Sequence, residues 1–282
     1  MTAHVAAPLQ PRPPFARLLK SWREMRKCSQ LDLALTSRIS QRHVSFLESG
    51  RARPSRDMVL QLSEALEVPL RERNTLLNAA GFAAMYRETE LKSAVMAPVR
   101  EALKLMLDHH EPNPASVVDR EWNLLMGNPA LVRVFGLVGD VAAMWQRVCP
   151  DGVHNVLKVT FHPEGFRPYI ANFDEAAPVL LNRTRREAAA CGSDKLLKLI
   201  DEILAYPGIP EAWRAPDWQA PPPPVLPLHL AKGELQLKLF SMITTFGTPQ
   251  DITTDELRVE GFFPADAASA ALLKALAAGA KP

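Results

Sequence analysis

Three cysteines in 282 residues, Cys28, Cys149 and Cys191, are too few and too far apart for a disulfide framework or a thiolate metal site. Their odd number and wide spacing fit reduced thiols in a cytoplasm. No apolar run approaches the ~18 residues that a membrane helix needs. The opening MTAHVAAPLQPRPP lacks an apolar core followed by a cleavage site, so it reads as a disordered leader rather than a secretory signal. Catalytic signatures are missing as well: there is no Gly-x-Ser-x-Gly, no phosphate-cradling glycine loop and no His-Glu-x-x-His. The expectation is a protein that is not an enzyme and carries no cofactor motif. His109-His110-Glu111 lies at a helix end with no partners at metal spacing. It reads as a polar last turn whose imidazoles suit the negative end of the helix dipole.

Net charge is also low, +2, but it is unevenly spread. Residues 1–57 hold 11 Lys and Arg against 4 acids, a net +7, and the remainder carries −5. Such a basic front end fits binding to a polyanion, with a plain solvated basic face as the alternative.

The basic segment has a strong helical rhythm. Phe15 to Lys27 places Phe15, Leu18, Leu19, Trp22 and Met25 at helix spacing. Ser29 is a good N-cap for a second helix, with Asp32 in its first turn. Ser40 caps a third, Gln41 to about Leu47, which Gly50 stops. Pro54-Ser55 starts a fourth helix with Met58, Val59, Leu62 and Leu66 on one face. Pro69 starts a fifth that ends at Gly81. On the third helix Val44 and Leu47 share one face, so Gln41, Arg42 and Ser45 must take the other. Amide, guanidinium, imidazole and hydroxyl groups of this kind, from Ser40, Gln41, Arg42, His43 and Ser45, read base edges in a major groove. Gln30, at the start of the second helix, is placed to meet a phosphate together with the helix N-terminal amides. Arg51 and Arg53, with Ser55 beside them, follow the third helix and can clamp the neighbouring backbone.

The segment KCSQLDLALTSRISQRHVSFLESGRARPS resembles the Xre-type helix-turn-helix of phage-repressor-like regulators. Ser29-Gln30, Leu33-Ala34, Ile39-Ser40, Leu47 to Arg51 and Pro54-Ser55 carry the likeness. The resemblance implies a third helix in the major groove and a dimer on a two-fold symmetric, palindromic operator. One departure stands out: the turn reads Ser37-Arg38-Ile39, without the usual glycine. It must reach φ > 0 without one or take another shape.

After residue 98 the character changes. APVREALKLMLDHHEPNP is one more amphipathic helix. ASVVDREWNLLMGNPALVRVFG then reads as strand, turn, strand and a helix capped by Asn128 with Pro129 at its first position. Residues 141–206 read mainly as helices, and APPPPVLP at 220–227 as a stiff extended linker or loop. GELQLKLFSMITTFGT alternates with Leu235, Leu237, Leu239 and Ile243 on one face. DELRVEGFFPAD alternates Leu257, Val259 and Gly261 against Arg258 and Glu260, and the tail is helical. VVDREWNLLMGNPALVRVFG resembles the opening of a PAS-type sensor. With NVLKVTFHPEGFRPYIANF, VLPLHL, LKLFSMITTFGTPQDIT and ELRVEGFFPAD it resembles the MmyB-like ligand-binding domain that follows an Xre-type head. That resemblance implies a PAS-like cavity for a fatty acid or similar apolar ligand.

The expected architecture is therefore multidomain. A five-helix, lambda-repressor-like all-α head spans 12–82, a connector 83–98, and an α+β PAS-like domain with an antiparallel sheet 99–282. Trp122, Leu124, Met126, Phe135, Met144, Phe161, Phe240, Met242 and Phe246 are the expected pocket wall, with His162 and Arg167 as donors to a carboxylate head. Each of these has a plain alternative: core packing for the apolar side chains, a simple turn for His162. The expected partners are double-stranded DNA, a small apolar effector and a second copy of the chain, with no membrane. A rival reading makes the second domain a protein-interaction module with a solid core.

Overall fold

The computed structural model describes residues 14–215 and 225–279. The leader and most of the proline run, 220–224, lie outside them. The chain forms two compact units, 1–87 and 88–282.

The first unit is five helices: α1 (Pro14–Met25), α2 (Gln30–Thr36), α3 (Gln41–Ser49), α4 (Arg56–Ala65) and α5 (Leu70–Ala79). The sequence writes its own helix ends. Ser29 and Asp32 form a reciprocal capping box, and Ser40 and Ser55 each accept a backbone N–H in the next turn. Gly50 closes α3 at φ 77°. Phe15, Leu19, Trp22, Leu33, Val44, Leu47, Val59 and Leu77 meet in one core. Arg38 holds φ 52°, so the α2–α3 turn reaches the left-handed region with an arginine. The Ile39 amide donates to Ala34 O at 3.0 Å and keeps the turn tight.

The second unit begins with α6 (Ala97–His109). It continues through β1 (Ala115–Val118), β2 (Leu124–Gly127), α7 (Pro129–Val138), α8 (Val141–Val148), α9 (Val156–Phe161), α10 (Phe173–Cys191) and α11 (Asp194–Leu204). It closes with β3 (Pro227–Lys232), β4 (Leu235–Thr244), α12 (Ile252–Glu256), β5 (Arg258–Pro264) and α13 (Ala267–Ala277). The strands form one antiparallel sheet in the order β2-β1-β5-β4-β3. Asn128 caps α7 by accepting from Leu131 N, and the same carboxamide oxygen accepts from Ala115 N of β1.

The expected linker ends in a strand. Residues from Pro227 pair with β4 through a two-residue loop in which Gly233 takes φ 59°. The short helix α12 was not legible at all. The expected connector 83–98 divides between the units: Asn74 holds Met85 and Tyr86 by three hydrogen bonds, whereas Thr89 is bonded to Asp251. His110 and Glu111 go to different partners. The His110 ring sits 2.9 Å from Phe262 O, and the Glu111 carboxylate accepts from Ala130 N and Arg133.

Each sheet face has its own neighbours. Leu103 and Leu107 of α6 pack on Ala115, Val117, Leu257 and Val259. The opposite face looks towards α7, α9 and α10. Among the described residues no helix is long and apolar enough to cross a membrane.

Candidate functional site

The first site is the outer face of α3. Val44 and Leu47 are fully buried, which leaves Gln41 and Arg42 exposed and His43 and Ser45 half-buried. Phe46 lies at the edge of this face. The Arg42 guanidinium stands 5.2 Å from its ring centroid and that of Arg51 6.0 Å, so one aromatic supports two cations. Arg51 and Arg53 are exposed just beyond the helix end. Ser40 and Ser55 serve as N-caps, so their hydroxyl oxygens already accept backbone N–H groups at 3.2 Å.

Gln30 departs from expectation. Its carboxamide donates to Glu48 Oε2 at 2.8 Å instead of standing free for a phosphate. Glu48 is 3% exposed and also receives Arg23 Nε at 2.6 Å and Nη2 at 3.0 Å. A buried carboxylate needs such donors, and a neighbouring amide is drawn in with the guanidinium. This network ties α1, α2 and α3 together.

The second site is a cavity of about 110 Å³ between the sheet and α7, α9 and α10. Of the residues expected to line it, Trp122 and Phe135 do. Trp122 is 2% exposed and sits in the β1–β2 turn at φ 67°, an unusual conformation for so large a residue. Its backbone is held by bonds to Asp119 and Val156, and its indole N–H donates to Glu187 Oε2 at 3.1 Å. The guanidinium of Arg183 lies 4.5 Å from the indole centroid and that of Arg258 5.6 Å, and both bond Glu187.

The other expected wall residues are elsewhere. Met126, Phe240 and Met242 belong to the opposite sheet face, because strand parity turns them towards the α6 side, and Phe246, just past the end of β4, packs in the same α6 cluster. Met242 there is 58% exposed. Leu124 and Met144 pack in the core around α7 and α8, and Phe161 in the core of α10 and α11. The Arg167 guanidinium donates to Pro207 O and Gly208 O and stacks on Phe173, so its fork is occupied. His162 Nδ1 accepts from Glu164 N in a turn.

The wall that sequence reading missed comes mainly from Leu228, Leu230 and Leu239 of the sheet and from Leu131 and Val134 of α7. Four polar residues, Ser116, Thr160, Ser241 and Glu260, share that wall, three of them on the sheet. Glu260 is 8% exposed; burial pushes its carboxyl above the usual carboxylate range, against the opposing pull of Arg183 and a Ser241 hydrogen bond. The visible signal was the period of two in β5, where Glu260 shares parity with Phe262. Burial also raises the Cys149 thiol, which is a core group.

One unit thus presents a capped helix with an exposed polar face, and the other is an α+β unit that holds an apolar cavity. Residues 99–276 match the family described as MmyB-like transcription regulator ligand binding domain, and residues 19–73 match the helix-turn-helix family. The chain belongs to the MmyB-like transcription regulators. A solved structure of the clp gene regulator ClgR from C. glutamicum is 30% identical, with a TM-score of 0.23, over 28% of this chain and 100% of that one. An RNA-binding Light-Oxygen-Voltage receptor is 11% identical, with a TM-score of 0.26, over 95% of this chain and 65% of that one. At these scores neither overlay bears on the arrangement of the whole chain. No curated protein matches.

Proposed function

We propose that this DNA-binding regulator reads a palindromic operator as a homodimer in the cytoplasm, under the control of a small, mostly apolar effector with a fatty-acid-like chain. The observation that carries the reading is the pairing of two features in one chain. One is an α3 face with Gln41 and Arg42 free of the core. The other is a void walled by leucine, valine and aromatic side chains. Gln41, Arg42, His43 and Ser45 supply base contacts, and Arg51 and Arg53 supply backbone contacts. The void favours an effector over the solid-core interaction module, which has no use for empty apolar space.

Effector and operator are coupled only if the effector binds the DNA-competent and incompetent states unequally. The test is the affinity for an operator selected from random duplexes, measured before and after loading with an octyl-chain amphiphile. A change of fivefold or more in either direction supports control by the cavity. Equal affinities across a saturating titration overturn it.

A second prediction separates backbone from base contacts. Arg51→Ala and Arg53→Ala weaken binding to operator and random duplex alike, and each lowers the slope of log affinity against log salt by about one unit. An unchanged slope removes these residues from the phosphate contacts.

A further inference from the structure

We infer that Glu260, with Ser116 and Ser241, is the polar anchor of the cavity. The effector it selects is a medium-chain amphiphile with a hydrogen-bond-donating head, an amine or amide rather than a carboxylate. The inference rests on the reading of the cavity as the effector site.

Strand register builds the anchor. Ser116 of β1 is directly opposite Glu260 of β5, so both side chains leave the same face. Ser241 of β4 pairs with Phe262 and is therefore the diagonal neighbour of Glu260 on that face. All three line the cavity, and Glu260 is its one ionisable wall residue among those described. Everything around them is leucine, isoleucine, valine or aromatic apart from Thr160 and Pro114. A leucine at 260 would pack such a wall without desolvating a charge. A carboxyl there gives a ligand group something to bind.

The cations near Glu260 do not change the preference. Arg183 of α10 and Arg258 of β5 both bond Glu187 and stand over Trp122; Arg183 keeps a buried Nη2 without a hydrogen-bond partner, but neither guanidinium lines the cavity. Arg167, the fork expected for a carboxylate head, is spent on two backbone carbonyls. An anionic head would thus meet the Glu260 carboxyl with no free guanidinium on the wall. It could enter only against like charge or by taking up a proton. An ammonium or amide N–H donates directly to the carboxyl oxygens. At roughly 10–15 Å³ for each water-sized group, a 110 Å³ cavity holds about seven to eleven heavy atoms, a range that includes an octyl chain with its head.

The test titrates octylamine, octanamide and octanoate into the full-length protein at pH 8, followed by calorimetry and by the fluorescence of the tryptophans, of which Trp122 lines the cavity. Octylamine and octanamide should bind at least tenfold more tightly than octanoate. Glu260→Gln should weaken octylamine at least tenfold while holding octanamide within about threefold, and its unchanged circular dichroism shows that the fold persists. Octanoate binding as tightly as the amine to the native chain overturns the anchor and leaves the cavity reading intact. Equal octylamine affinity in native and Glu260→Gln proteins also overturns it. No binding by any of the three overturns both.

Discussion

Glu48→Ala lowers the stability of the first unit by about 3 kcal/mol, the cost of leaving a partly buried guanidinium without its carboxylate. Arg23 would lose two hydrogen bonds to Glu48, keeping only the carbonyl of Cys28 and a loose contact with Glu24. Gln30 would lose its partner as well. Because these bonds join α1, α2 and α3, the loss falls on the packing that orients α3. Denaturant unfolding of the native and Glu48→Ala proteins, followed by far-ultraviolet dichroism, measures it. The paired replacement Arg23→Met with Glu48→Met is expected to recover most of the loss, because two apolar side chains of similar size leave no buried charge. A loss below about 1 kcal/mol for Glu48→Ala would mean that water reaches Arg23 easily and that the network is ornamental.

The second large effect concerns sequence reading. Arg42→Ala and Gln41→Ala each cost about 1–3 kcal/mol on the selected operator, roughly fivefold to 150-fold, and much less on random duplex. Both side chains are exposed on α3, and neither contributes to the core below, so the fold should survive. Arg42 is held by the Phe46 ring in the unbound protein, which limits the order it must gain on binding. The measurement is the ratio of operator to random-duplex affinity at fixed salt. A ratio unchanged by Arg42→Ala would place the reading face elsewhere on the first unit.

Much of the first unit was legible because its signals are local. A Ser-x-x-Asp capping box, a Ser N-cap and a Gly stop act within four residues of themselves, and the amphipathic stripe of α3 repeats within one turn. The glycine-free turn posed a local question with a local answer, since Arg38 simply takes the left-handed conformation. Strand β3 was lost to the proline run before it, although Leu228 and Leu230 alternate and Gly233 marks the hairpin. Proline stiffens a segment but says nothing of the residues after its last ring.

The cavity was less legible. Aromatic and methionine content identified an apolar interior but not which side of the sheet each residue would face. Met242 and Phe240 read as wall, yet register turns them to the α6 side. Arg167 and Gln30 read as free donors, and each is taken by an acceptor more than 15 residues away.

The sequence by itself determined the helix ends of the head, the outward polar face of α3 and the presence of an α+β domain with alternating strands. Those properties depend on backbone hydrogen bonds and side-chain periods that a few neighbouring residues settle. Only the tertiary structure decided which apolar groups enclose empty space, which donors are already satisfied, and that Glu260 turns inward. Those depend on strand register and on partners brought together across scores of residues, where no short-range pattern carries the information.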